Sequence, residues 1–458
     1  MEEKNEQDVV LEIKDKSLIV SASAGSGKTS TMIRKIFNTI FDNKVDISNL
    51  LVLTYTNAAA AEMKSRLNEF LLNKIAESKD KEFLQKQINK LSIADISTFH
   101  SFYEKLIKAN YYLLNINPSF VIADDSESKI LKENAFSLAI NQFKANEEKY
   151  LKLFSAFNKK RNETALFNRI IKLQDFLSAE IDDEKWLDEI SLSMINDLNL
   201  PKEILNDYYN QNISYAIENF DAILETAALR SQDKIAAHCN ACLSELNSVL
   251  SLDILQKQQR LSDFSFQRFV KGKDDDPELV ENLKSIKKIF SKFTKNVKDE
   301  NINMFAENGE NLAKIKEKYQ IFIEFYKKYI QILNELKNNN SIYDFADIEK
   351  MALKLLQMSQ VESAVKEQYK YVFVDEFQDV NNLQNEILKH LCNKNNVFIV
   401  GDPKQSIYAF RQSDVSIFTE TVKNFKENEF AEDRNLKNNY RSNEKILEFC
   451  NIVFSNIM

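Results

Sequence analysis

Glycine is almost missing from this sequence, with five residues in 458, and proline is as scarce, with four. So little turn punctuation predicts a chain that is mostly helix. Four cysteines at irregular spacings exclude a disulfide scaffold and fit a reducing compartment. His238-Cys239-Asn240-Ala241-Cys242 holds one CxxC, but Cys392 and Cys450 lie far along the chain, so a zinc site lacks its second pair. The pair reads instead as two small apolar residues on a helix face. Positive charge is not in excess: 61 Lys and Arg against 69 Asp and Glu leave a net charge of −8. That argues against a surface gripping polyanions everywhere, while a local basic groove stays open. No apolar run approaches the roughly 18 residues of a membrane span, and the Glu/Lys-rich start does not read as a signal peptide. A soluble, cytoplasmic chain with no membrane partner is expected.

With 44% hydrophobic and 28% charged residues the chain can bury a core, and its length suggests about three domains of roughly 150 residues. Its first ~115 residues alternate strand and helix signals. Leu18-Ile19-Val20, Leu50-Leu51-Val52-Leu53 and Ile93 to Ile96 are short apolar runs. Residues from about 120 to 340 change character, with helical spacing such as Ile321, Phe322, Phe325, Ile330, Ile332 and Leu333. Asp276-Pro277 reads as an N-cap followed by the first helical residue. Strand signals return at Tyr371 to Val374 and Val397 to Val400. The pattern predicts an α/β fold, a parallel-sheet domain interrupted by a large all-helical insertion.

Three of the five glycines (Gly25, Gly27, Gly401) directly follow strand-like runs, as backbone that must approach a ligand would. Gly272 and Gly309 read as ordinary loops. Ala22-Ser23-Ala24-Gly25-Ser26-Gly27-Lys28-Thr29, between a strand and a helix over 30–41, is the phosphate-loop pattern with Ala in place of its first Gly. Backbone N–H groups would hold phosphate oxygens, Lys28 would reach the β/γ-phosphates and the Thr29 hydroxyl would bind Mg²⁺. The loop alone does not choose between ATPases, GTPases and kinases. Asn43-Lys44-Val45-Asp46 spells a guanine-reading motif, yet lies one helix after Lys28 and reads as a turn. Asp375-Glu376, at the end of Val372-Phe373-Val374, suits a Mg²⁺ ligand beside a water-activating base, or else solvated acids at a strand end. Gly401-Asp402-Pro403-Lys404-Gln405-Ser406-Ile407-Tyr408-Ala409-Phe410-Arg411 brings an amide, two aromatics and an arginine after a strand. That set suits a single-strand stacking surface, or half-buried packing.

These stretches, in this order, resemble motifs I, II and III of superfamily 1 DNA helicases of the UvrD/Rep kind. Thr54 to Met63 resembles motif Ia, Ser97 to Phe102 the next DNA-contacting motif, and Asn439-Tyr440-Arg441-Ser442 motif IV. Val20 to Ala24, Asn117 to Phe120, Asp344-Phe345-Ala346-Asp347 and Asn451 to Phe454 are similar to the AddA and RecB helicase-nuclease proteins rather than to UvrD. The resemblance implies a RecA-like P-loop domain (1A) over 1–118 and 341–430. It further implies a helical 1B-like insertion over 119–340 and the start of a second motor domain (2A) over 431–458.

It also implies roles. Gln7 would read adenine, Ala22, Ser23, Ala24, Gly25, Ser26, Gly27, Lys28 and Thr29 would wrap the phosphates of ATP, and Thr29 and Asp375 would hold Mg²⁺. Glu376 would activate water, Gln405 would sense the γ-phosphate, and Arg441 would approach it. Tyr55, Thr56, Asn57, Thr98, His100, Tyr408, Phe410 and Arg411 would line the single-strand track; Phe410 stands where many relatives carry Trp. The implied function is a 3′-to-5′ ATP-dependent helicase or translocase. It would act on single-stranded DNA and duplex junctions in double-strand-break repair and recombination, with a possible AddB-like subunit. Motifs V and VI do not occur before Met458, so the chain reads as a fragment, weak or inactive as a motor alone. The alternative is a nucleotide-gated DNA-binding module without autonomous motor activity.

Overall fold

A computed structural model describes residues 5–157, 162–190, 193, 199–299, 309–393, 395–409 and 412–455. Its centre is a six-stranded, all-parallel sheet in the order β3-β2-β6-β7-β1-β8. The strands are β1 (Ser17–Ala22), β2 (Leu50–Thr54), β3 (Asp95–Thr98), β6 (Tyr371–Val374), β7 (Val397–Gly401) and β8 (Ala431–Leu436). A second, two-stranded parallel sheet pairs β4 (Val121–Ile122) with β5 (Ile342–Tyr343).

Near-continuous apolar runs form β1, β2, β6 and β7 because helices cover both faces of the sheet. Alternate residues point to opposite sides. Ile19, Leu51, Leu53, Val372, Val374 and Ile399 pack against the helices Phe99–Ala109, Phe345–Leu356, Asn382–Leu391 and Val415–Glu427. Leu18, Val20, Leu50, Val52, Phe373, Phe398 and Val400 pack against Lys28–Asn43 and Asn57–Glu77 on the other side. The expected parallel α/β architecture is therefore present, with long helices between its two halves. Ile93 lies outside β3 and is exposed.

The helical stretch leaves and rejoins this body through β4 and β5, tied by Val121 N–H to Ser341 O (2.9 Å) and Ala123 N–H to Tyr343 O (2.8 Å). Contacts divide the chain into two compact units. The first takes in Met1–Ala145, Asn162–Asp183 and Tyr326–Met458, and the second Asn146–Arg161 and Glu184–Phe325. Within 119–340, both ends and Asn162–Asp183 fall in the first unit, with the sheet.

In the second unit, Asn199–Leu229, Asp233–Leu250, Ile254–Ser262 and Pro277–Asp299 surround a core that includes Phe220, Cys239, Cys242, Leu246 and Phe290. Asp276 caps the last of these helices, its carboxylate accepting from Glu278 N–H at 2.9 Å, so Pro277 is its first residue as expected. Both cysteines pack within this core, and burial pushes the Cys239 thiol up to about 12 and the Cys242 thiol to about 11. Gly309 opens the helix Gly309–Asn340 instead of sitting in a loop.

The strip 431–458, expected to begin a second motor domain, starts with β8, which is hydrogen-bonded to β1 in the same sheet. Among the described residues no helix is long and apolar enough to cross a membrane.

Candidate nucleotide site and strand-end surface

All strands of the main sheet run the same way, so their C-terminal ends share one edge, where α/β sheets place ligands. That edge carries the segment after β1 (Ser23 to Thr29), Tyr55 after β2, Thr98 and His100 at β3, Asp375-Glu376 after β6, and Asp402 to Tyr408 after β7. Only β7 separates β1 from β6. At about 4.8 Å per strand, roughly 10 Å lies between them, a span one lysine side chain can close. Lys28 Nζ donates to Glu376 Oε2 at 3.3 Å.

The loop after β1 is shaped by its glycines. Gly25 (φ +73°) and Gly27 (φ +86°) take the left-handed conformation. A Cβ on Gly25 would stand 2.7 Å from Asn439 Nδ2 and 2.8 Å from Arg441 Cβ, and one on Gly27 2.4 Å from Gln7 Nε2. Gly27 is also the N-cap of Lys28–Asn43 and places no side chain over its first-turn N–H groups. Those donors and the helix dipole suit an anion. Ser26 Oγ is buried there with no hydrogen-bond partner. Ala22 replaces the motif's first glycine without strain, because it is the last residue of β1, in extended register with Leu436. Ser23 and Ala24 are exposed, and Thr29 follows Lys28 in the first helical turn. Gln7, on the helix Glu6–Glu12, donates from Nε2 to Ser26 O at 2.9 Å. The donor set fits a nucleoside polyphosphate.

Asp375 is buried, its Oδ1 accepting from Glu376 N–H at 3.0 Å. Burial pushes its carboxyl up to about 6, with the negative charge of Glu376 adding to the rise and Lys28 opposing it. Glu376 sits at φ +52°. Its Oε2 also accepts from Gln378 Nε2 (2.9 Å), while Gln378 Oε1 accepts from Asp402 N–H (2.9 Å), linking the ends of β6 and β7. Asp379 is likewise pushed to about 6, first by burial and then by Glu376. Asp375 with the Thr29 hydroxyl is a hard-oxygen set of the kind that holds Mg²⁺ alongside phosphate oxygens.

The raised Asp375 pKa makes a stability prediction. Its proton is held in the folded chain up to about pH 6 but lost near 3.8 when unfolded. Its cost to the fold is thus absent below about pH 4, grows between about 4 and 6, and is complete above that. Asp375→Asn is expected to stabilise the divalent-free protein by about 1–3 kcal/mol at pH 8, the gain vanishing near pH 4. Urea midpoints at the two pH values check this, and no gain at pH 8 contradicts it.

Gln405 donates from Nε2 to Asp402 Oδ2 at 2.6 Å. The Tyr55 and Tyr408 rings lie 4.8 Å apart, one from the segment after β2 and the other from the segment after β7. Thr56 caps Asn57–Glu77 by accepting from Ala59 N–H at 3.1 Å, and Thr98 caps Phe99–Ala109 by accepting from Ser101 N–H at 3.2 Å. Both threonines thus have a local structural task. Asn57 is exposed in the first helical turn. His100 is half-buried and its Nε2 lies 3.2 Å from Glu349 Oε1. Phe410 and Arg411 lie outside the described residues. Asn439 Nδ2 donates to Ala24 O (2.7 Å) and Tyr440 N–H to Gly25 O (2.8 Å), so the Asn439 to Arg441 segment lies along the phosphate loop, with Arg441 exposed.

Sequence reasoning did not single out Asn381, Gln384 or Glu349, and it gave no role to Gln378, Asp379 or Asn439, although Asn439 stands in the stretch that resembles motif IV. Asn381 and Gln384 carried a readable signal: they form a capping box on Asn382–Leu391. The buried polar atoms of Gln378 and Glu349 carried none, since a polar residue in a helix or turn reads as solvated.

The sequence profile of the UvrD/REP helicase N-terminal domain matches residues 2–426. The chain is also similar to the AddA protein of the ATP-dependent helicase/nuclease of Alkaliphilus metalliredigens, 30% identical over 493 residues that take in 99% of this chain and 39% of that protein. The proteins of the same name in Clostridium acetobutylicum (31% identical, 99% of this chain, 40% of that protein) and Pediococcus pentosaceus (31%, 96% and 38%) are comparable. The chain therefore spans about two fifths of the length of these relatives. With the profile running from the first helix past β7 and taking in the phosphate loop and the acid pair, the chain belongs to the UvrD/REP helicase N-terminal domain family.

Proposed function

We propose that this chain is the N-terminal motor region of an ATP-dependent DNA helicase or translocase of the AddA type. It would move 3′ to 5′ on single-stranded DNA, act at duplex junctions, and serve double-strand-break repair and recombination in the cytoplasm beside a second, AddB-like subunit. The observation that carries this is the Lys28–Glu376 contact at the common strand edge, an edge that also carries the paired Tyr55 and Tyr408 rings. In this reading 1–118 and 341–430 form motor domain 1A, with β8 added to its sheet. Residues 119–340 form the 1B insertion, and the helix Glu444–Ser455 opens 2A.

The chemistry follows from the residues. Backbone N–H groups from Gly25 to Thr29 hold the phosphates, and Gln7 stands beside the loop for the adenine. The phosphates draw Lys28 from Glu376, which frees that carboxylate to take a proton from the attacking water. The water oxygen bonds to the γ-phosphorus as the bond to the β,γ-bridging oxygen breaks, giving ADP and phosphate. Mg²⁺, which Thr29 and Asp375 would hold, supplies Lewis-acid stabilisation of the phosphate charge. Gln405, bonded to Asp402 next to the β6–β7 link, is placed to pass the state of the γ-phosphate to the Tyr408 side. Arg441, next to Gly25, would add positive charge at the loop.

Single-strand binding tests the reading. For about three phosphate contacts, affinity for a labelled oligothymidylate should fall roughly 10- to 30-fold between 50 and 200 mM salt. Tyr408→Ala should weaken it further, by about 1–3 kcal/mol. Affinity independent of salt and of Tyr408 would overturn the DNA assignment while leaving nucleotide binding in place.

A further inference from the structure

Glu349 is a buried carboxyl in an apolar setting. It lies on Phe345–Leu356, whose Ile348 and Ala352 share a core with Leu383 and Ile387 of Asn382–Leu391, and is only 5% exposed. Burying such a group is costly unless donors surround it. Three do. Gln384 Nε2 donates to Oε1 at 2.6 Å, Asn381 Nδ2 to Oε2 at 3.3 Å, and His100 Nε2 lies 3.2 Å from Oε1. Among the described residues, His100 is the only basic side chain with a nitrogen within 4 Å of its carboxylate.

The two amides are equally buried and come from the N-terminal cap and first turn of Asn382–Leu391, which starts directly after the Phe377–Asp379 turn that follows Asp375-Glu376. His100 comes from the first turn of Phe99–Ala109, after β3. Its ring is further held edge-on by Phe345, 4.8 Å away, and by Tyr103, 6.1 Å away. Tyr103 is fully buried with an unpartnered hydroxyl, and its phenol is pushed up, by burial first and then by the negative charge of Glu349. A position needed only for packing would be served as well by an apolar side chain.

We propose that Glu349 is a positioning residue that orients the His100 ring toward the strand-end surface and ties it, through Asn381 and Gln384, to the helix that follows the Asp375-Glu376 pair. The proposal rests on the assignment of His100 to the DNA track. Glu349 itself touches no nucleic acid; it acts by limiting the ring to one orientation, and its two amide donors make that orientation depend on the helix after β6.

A double-mutant cycle on the native protein tests it, read by anisotropy of a labelled oligothymidylate with ATP affinity measured in parallel. Glu349→Gln should weaken DNA binding about 5- to 10-fold, and His100→Ala at least as much. The double variant should be no worse than His100→Ala alone, and ATP affinity should stay within about twofold. Additive losses, or DNA and ATP affinity falling together, would overturn the positioning role, because general loosening of the fold produces either. DNA affinity unchanged by His100→Ala would instead sink the track assignment, and the proposal with it. If Glu349→Gln does not fold, Gln384→Met removes one donor at similar volume, and the same non-additivity with His100→Ala is expected.

Discussion

Replacing Glu376 with glutamine in the native protein should leave ATP bound and nearly stop its hydrolysis. Among the described residues this carboxylate is the one that forms an ion pair with Lys28, and it is open enough to meet water: its side chain is 37% exposed, against 7% for the neighbouring Asp375 residue. A positioned base contributes about 10²- to 10⁴-fold, so DNA-stimulated turnover should fall by that order. Glutamine keeps the size of the side chain, and its amide oxygen can still accept from Gln378 Nε2, so the β6–β7 link should survive. Binding should hold or tighten. In the wild type Lys28 must leave a carboxylate to reach phosphate, and a partly exposed pair of this kind is worth about 0–1 kcal/mol, up to roughly fivefold in affinity. Single-turnover hydrolysis and equilibrium titration with a fluorescent ATP analogue separate the two effects. Wild-type turnover would show that Glu376 is not the base; loss of binding would show that it holds the loop together.

What could be read in the sequence was whatever had an apolar or glycine signature. β1, β2, β6 and β7 are four- to six-residue strands whose side chains are almost all buried, so each stood out as an apolar run. Gly25 and Gly27 marked the phosphate loop because only that backbone needs positive φ on both sides of Ser26. β8 gave no such signal. Its sequence is Ala-Glu-Asp-Arg-Asn-Leu, and only its two ends are buried. As an edge strand it pairs on one side alone, so its charged middle meets solvent and its neighbours, as in Lys16–Glu432 at 2.9 Å. The two-residue strands β4 and β5 are too short for any periodicity, and the pairing that ties the ends of the insertion is visible only in three dimensions.

The same limit applied to the site. Lys28, Asp375 and Glu376 were legible as types at strand ends, but that β7 lies between their strands is a fact of topology. So is the approach of Asn439 and Tyr440 to the loop at Ala24 and Gly25, across more than 400 positions of sequence. The Glu349 contacts went unread for a physical reason: Glu349 buries its polar atoms by satisfying them with Asn381 and Gln384, of which the capping box of those two tells nothing. Three scattered polar residues show nothing of that satisfaction until the fold brings them together.

Lys28→Ala should fail one step earlier than Glu376→Gln, at binding. The ammonium lies at the start of Lys28–Asn43, its side chain only 13% exposed, so it meets the phosphates largely out of water. Two charge-assisted hydrogen bonds to phosphate oxygens in such a setting account for about 2–4 kcal/mol, roughly 30- to 1,000-fold in ATP affinity. The loop itself should persist, because its shape rests on Gly25, Gly27 and the backbone bond from Ser26 N–H to Ser23 O at 3.1 Å, none of which involves the lysine. The fold should therefore lose little, and single-strand affinity in the absence of nucleotide should be close to wild type. This last outcome separates the lysine's role from a structural one. A variant that loses ATP and DNA together has lost the strand-end edge, whereas one that loses ATP alone has lost the phosphate contact. Calorimetric titration with ATP and anisotropy with DNA on the same preparation distinguish the two, and ATP affinity within threefold of wild type would remove Lys28 from the site.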